Sequence, residues 1–146
     1  MLKDSYPYFI FNGNADEAIR FYAAIFEAKV LDSTKFKEMP INPDEPPIPD
    51  AAKELIMNAT IQLPNESYIM FSDNFPGTPY TVGTNVSLTL IYEDPEETRA
   101  VFDKLKVDGK IEMELQETFW SPLYGNLFDK FGIQWQISTL DAEDVN

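Results

Sequence analysis

Polar and apolar residues alternate one by one through several segments of this chain. Over 55–63, Leu55, Met57, Ala59, Ile61 and Leu63 fall on one face and Ile56, Asn58, Thr60 and Gln62 on the other. A period of two marks a strand covered on one side only. The same split recurs near the C-terminus, where Ile133, Trp135 and Ile137 oppose Gln134, Gln136 and Ser138, and over 85–90, where Val86, Leu88 and Leu90 oppose Asn85, Ser87 and Thr89. A different period appears at Ile19, Tyr22 and Phe26, whose i, i+3, i+7 spacing predicts a helix with one apolar stripe, fading near Ala28. Further strands are expected over 8–11, 29–35, 67–73, 110–115 and 124–128, with 55–63 and 67–73 forming a hairpin around Pro64-Asn65-Glu66.

The pattern repeats. Asn14-Ala15-Asp16-Glu17, followed by Phe21, Tyr22 and Ile25, returns eighty positions later as Asp94-Pro95-Glu96-Glu97, followed by Val101, Phe102 and Leu105. The preceding strand obeys the same gapless offset, 8–11 mapping onto 88–91. Asn14 is expected to cap the first helix, with Glu17 completing a capping box, and Asp94 with Pro95 to open the second. Each unit therefore reads as βαβββ, and duplicated units tend to enclose a cavity at their junction. Asp129-Lys130-Phe131-Gly132 suits a four-residue turn, Asp first and Gly last. Five prolines within 39–50 exclude a helix or central strand there, leaving a connector or a lid. The expected organisation is a single domain over 1–146: module one about 5–74, a linker at 75–84, module two about 85–139, and a disordered acidic tail at 140–146.

Composition narrows the function. A chain of 146 residues can remove roughly 68–70% of its extended surface from water, enough for a core without staples. There is no Cys, which excludes disulfides and thiolate chemistry and fits a reducing compartment. No apolar run approaches a membrane span, and the first residues lack a signal-peptide pattern, so a cytoplasmic protein without membrane contact is expected. With 25 acidic against 11 basic residues the net charge is −14, which repels nucleic acid. The neutral amides and hydroxyls opposite the apolar strand faces are uncharged hydrogen-bonders, suited to a semi-buried concave surface rather than a plain solvated face.

The two βαβββ units, the segment Phe11-Asn12-Gly13-Asn14-Ala15-Asp16-Glu17-Ala18, and above all Leu115-Gln116-Glu117-Thr118-Phe119-Trp120 with Tyr124-Gly125 and the run Asp129 to Trp135 resemble the PhnB-like branch of the glyoxalase/bleomycin-resistance/extradiol-dioxygenase (vicinal oxygen chelate) superfamily. The resemblance covers about 6–139. It implies an α+β fold in which two paired βαβββ modules form a cup-shaped mixed sheet with helices on the outer face, and commonly a homodimer. Some relatives carry a 3-demethylubiquinone methyltransferase label, but no glycine loop of the S-adenosylmethionine type is present.

Active members of the superfamily hold a divalent metal with His and Glu ligands. Matched by position, the carboxylate falls on Gln136 and a histidine on Asn58, with further ligand positions around Pro7 and Ser87; the chain contains no His at all. Neutral amides make a poor site for zinc, iron, nickel, magnesium or calcium, so no metal and no cofactor are expected. The reading that follows is a metal-free cup binding a small organic molecule, with hydrogen bonds from Asn58, Ser87, Gln134 and Gln136 and aromatic contact from Trp120 and Tyr124. The alternative is an isomerase, lyase or transferase using carboxylate acid/base catalysis, with Glu117 as the participant.

Overall fold

The structure is a computed structural model and describes residues 1–144. It divides into two compact units, 1–81 and 82 onward, each of which is one βαβββ module. In the first, β1 (Tyr8–Phe11), α1 (Ala15–Phe26), β2 (Lys29–Lys35), the short α2 (Asp50–Lys53), β3 (Ile56–Gln62) and β4 (Tyr68–Asp73) build an open sheet of order β1-β4-β3-β2. In the second, β5 (Ser87–Tyr92), α3 (Pro95–Leu105), β6 (Lys110–Gln116), β7 (Tyr124–Phe128) and β8 (Gln134–Thr139) repeat the order as β5-β8-β7-β6. The first strand of each module pairs parallel to the last and the remaining pairs are antiparallel, so both sheets are mixed. This is the α+β fold that the resemblance implies, built from the βαβββ units that the sequence pattern predicts. Among the described residues no helix is long and apolar enough to cross a membrane.

Each helix packs on one face of its own sheet. In α1 the buried residues are Ala15, Ala18, Ile19, Tyr22, Ile25 and Phe26, which is the expected stripe. Against it lies an aromatic core in which Tyr22 stacks on Phe71 at 6.0 Å and on Phe26 at 6.0 Å, and Phe11 stacks on Phe71 at 6.2 Å. In the second module Val101, Phe102 and Leu105 of α3 cover Leu127, Trp135 and Ile137, all buried.

Five local expectations are corrected. Asn14 makes no side-chain capping bond; the N-terminus of α1 is instead held by Asp73, whose Oδ1 accepts from Gly13 N at 2.9 Å and Ala15 N at 3.0 Å. Asp73 reaches there from the end of β4, and a buried carboxylate supplies a stronger acceptor than an exposed amide. The second correction concerns β3. Ile56, not Met57, is buried with Ala59 and Ile61, because the β2–β3 register shifts between Thr34 and Lys35 and an extra residue at Met57 reverses the alternation.

Third, the strands do not share the helices' offset. Phe11 O accepts from Asn74 N, as Tyr92 O accepts from Leu140 N, so Phe11 corresponds to Tyr92 and the gapless match of 8–11 with 88–91 slips by one. Three residues, Asn12-Gly13-Asn14, join β1 to α1, whereas only Glu93-Asp94 join β5 to α3, and Gly13 takes the left-handed φ of 102° that the extra residue demands. Fourth, β5 begins at Ser87, and Val86 is exposed rather than helix-facing. Fifth, the C-terminal segment expected to be disordered forms a 3₁₀ turn over Ala142–Asp144; 145–146 lie outside the described residues.

Candidate functional site

The polar face of the second sheet carries a continuous hydrogen-bonded chain. Asn126 Nδ2 donates to Tyr124 Oη at 3.4 Å, Tyr124 Oη donates to Gln136 Oε1 at 2.7 Å, and Gln136 Nε2 donates to Ser87 Oγ at 2.7 Å. Register explains the chain. Asn126 lies opposite Gln136 across β7–β8, while Ser87 lies opposite Gln134 on the other flank of β8. Alternation then turns Tyr124, Asn126 and Gln136 to the face that α3 does not cover. Each Gln136 amide atom uses one bond in the chain, which leaves one lone pair and one N–H for a guest.

Beside the chain is a cavity of about 270 Å³. Trp120, Tyr124 and Ile91 give it apolar walls, Gln136, Thr89 and Ser138 give it neutral polar groups, and among the described residues Asp141 is its one carboxylate and no Lys or Arg lines it. The Trp120 and Tyr124 rings stand 5.2 Å apart at 72°, forming a corner. Trp120 is placed by the loop between β6 and β7, which is pinned by buried Ser121: its Oγ donates to Thr139 O at 2.7 Å, and its backbone carbonyl accepts from Thr118 N at 3.0 Å.

Of the residues singled out from sequence, Ser87, Trp120, Tyr124 and Gln136 come together here. Gln134 starts β8 on the same face as Gln136 but is not part of the cavity lining. Asn58 belongs to the first module, where its amide makes a long 3.5 Å contact with Tyr8 Oη. Glu117 is exposed just beyond β6 and does not line the cavity. Sequence reasoning put Thr89 on the polar face without assigning it to the site, and missed Asn126 and Asp141. Extending the alternation of β7 from Tyr124 would have found Asn126; nothing in the pattern marked Asp141.

A divalent metal, which the fold type implies, does not fit these donors. The oxygens and nitrogens of the hydrogen-bonded chain are neutral, and among the described residues no cluster of three or more His, Cys, Asp or Glu could hold an ion.

Two four-stranded mixed sheets, each opened by a strand and helix and each backed by that helix, define the class: a protein of two βαβββ modules. At the level of fold alone it is similar to a glyoxylase/bleomycin resistance protein/dioxygenase domain from Frankia sp. EAN1pec, with a TM-score of 0.66 at 14% identity over 97% of this chain and 99% of that one. Within that class the chain belongs to the PhnB-like family described as 3-demethylubiquinone-9 3-methyltransferase, which it matches over residues 3–138. It is 35% identical to protein YjdN of Escherichia coli K12, covering 94% of this chain and 95% of YjdN. Among solved structures it is similar to PA1353 of Pseudomonas aeruginosa (30% identity, TM-score 0.85, 95% and 98% of the two chains) and to the PhnB protein of Bacillus cereus (28%, TM-score 0.76, 94% and 99%).

Proposed function

We propose that this protein binds a small organic molecule, without a metal, on the polar face of its second module. The observation that carries this reading is the Tyr124–Gln136–Ser87 hydrogen-bonded chain bordering a cavity walled by Trp120. A volume of about 270 Å³ lies at the lower edge of the roughly 300–1,000 Å³ of small-molecule sites, which favours a compact ligand. The two modules act as one domain and the chain as a homodimer, in keeping with the resemblance to its superfamily. Methyl transfer finds little support: the six glycines stand singly, with none of the Gly-rich loops that cradle a nucleotide-type cofactor. Acid/base catalysis through Glu117 is the weaker reading, since that side chain is exposed and off the cavity.

A fragment screen by protein-observed NMR tests the proposal. Hits should perturb the Trp120 indole and the Gln136 side-chain amide, and Gln136→Leu should weaken them at least ~10-fold, as loss of a buried hydrogen-bonding partner does. Hits confined to other surfaces would remove the assignment. Calorimetry with zinc, nickel, manganese and iron(II) should give only weak, salt-sensitive heats; a stoichiometric, tight ion would return the site to metal chemistry.

A further inference from the structure

Resting on that reading, we infer that the ligand is a small organic cation, its ammonium group seated in the corner of Trp120 and Tyr124 with Asp141 as counter-ion. The charge on the cavity wall has one sign. Among the described residues that line it, Asp141 is the one ionisable carboxylate, no Lys or Arg accompanies it, and the remaining polar groups are neutral. An anion would meet a carboxylate and no compensating charge, and the surrounding chain, at −14, repels it further. A neutral guest would leave Asp141 half-buried with no charge to face.

The aromatic geometry selects for a cation independently of that carboxylate. Cations are drawn to the faces of aromatic rings within about 6 Å of the centroid, with Trp the strongest host. Trp120 and Tyr124 both border the cavity, their rings at 72° with centroids 5.2 Å apart, so a methylated or primary ammonium there lies within reach of a ring face. Tyr124 Oη is committed as donor to Gln136, which orients its ring and keeps its hydroxyl proton turned away from the guest.

Asp141 is also restrained. Its Oδ1 accepts from Glu143 N at 3.2 Å, opening the 3₁₀ turn over Ala142–Asp144, and Leu140 N, just before it, is fixed to Tyr92 O at 2.7 Å. Oδ2 is left for a cation. The corner and the carboxylate come from separate segments, the loop before β7 with the first residue of β7 and the second residue after β8, which Ser121 ties together through Thr139 O.

A charge series on one shape decides the matter. Choline, its neutral isostere with carbon in place of the ammonium nitrogen, and an alkyl carboxylate of matching size are titrated into the intact protein by calorimetry and by following the Trp120 indole N–H in NMR. The expected result is choline bound about tenfold or more tighter than the isostere, as a partly desolvated cation–π contact provides, and the carboxylate weakest. Asp141→Asn and Trp120→Ala should each remove most of choline's advantage while leaving affinity for the isostere within about threefold in the Asn variant. Equal or tighter binding of the isostere, still dependent on Trp120, overturns the cation assignment but keeps the small-molecule site. Failure of choline to bind at all also overturns it, and the fragment screen then judges the wider reading on its own.

Discussion

Asp73 and Asp129 show how single carboxylates organise each module. Asp73 takes three backbone N–H groups, from Gly13, Ala15 and Ile56, and so fastens β1, α1 and β3 to the end of β4. Replacing it with Asn turns one acceptor into a donor facing an N–H group; Asp73→Asn should cost ~1–3 kcal/mol in urea denaturation, as an unsatisfied buried donor does. Asp129 accepts from Phe131 N, Ile133 N and, at 2.8 Å, Trp135 Nε1. Trp135 is fully buried, and Trp135→Ala should cost ~3–5 kcal/mol. Trp120, 46% exposed, should lose far less stability on the same change and show its effect in ligand affinity; equal losses would mean that the two faces of the sheet are wrongly assigned. Glu54 gives a pH-dependent case. Hydrogen bonds from Lys35 and Lys37 lower its carboxyl from 4.5 to about 2. A folded-state value below the unfolded one stabilises the fold above pH about 4.5, and that contribution fades as pH falls through about 2. Carboxyl-observed NMR should place the midpoint near 2 and move it upward in Lys35→Met or in high salt; a midpoint at the ordinary value in low salt would show that the pair does not form.

At the scale of the element, the two helices start by different means although their sequences look alike. Asp94 caps α3 itself, its Oδ1 accepting from Glu96 N at 2.9 Å, while α1 borrows its cap from β4. Asp94→Ala should therefore destabilise by about 1 kcal/mol and Asn14→Ala by much less, a difference that thermal melts of the two variants would read directly. The reason this escaped the sequence is that local capping rules see only neighbours in the chain, and Asp73 lies 58 residues from Ala15. The bulge at Met57 escaped for a related reason: both registers of 55–63 alternate apolar and polar residues, and only pairing with β2 selects Ile56 for the core. Gly125 leaves room on the sheet for the Phe102 ring of α3. A methyl group there would stand 2.8 Å from Phe102 Cε2 and 2.9 Å from Met113 O, so Gly125→Ala should cost ~1–3 kcal/mol by overpacking. Ala59 fills the corresponding position of the first module, opposite Phe71 as Gly125 is opposite Ile137.

For the whole molecule, periodicity and the internal repeat carried the fold to within a residue or two at most strand ends, because both report burial, and burial is what the sheets and helices share. The site was legible in part. Ser87, Tyr124 and Gln136 sit on alternating positions of paired strands, whereas the Trp120 loop and Asp141 are placed by long-range bonds through Ser121 and Leu140 that no pattern encodes. Association is the remaining question at this scale. Both sheets are open, with β1, β2, β5 and β6 as edges, and the β2 edge carries Val30 and Leu31, each 49% exposed. Unpaired edges with apolar side chains invite a second strand or chain. Two copies also bring together twice the −14 charge, so a dimer would form against a net repulsion. Light scattering at micromolar concentration should accordingly return twice the 16.7 kDa of the chain, and the dimer should tighten as salt screens the like charge. A monomer at every salt concentration would defeat the dimer, and a dimer that loosens in salt would place ion pairs, not the apolar edge, at its interface.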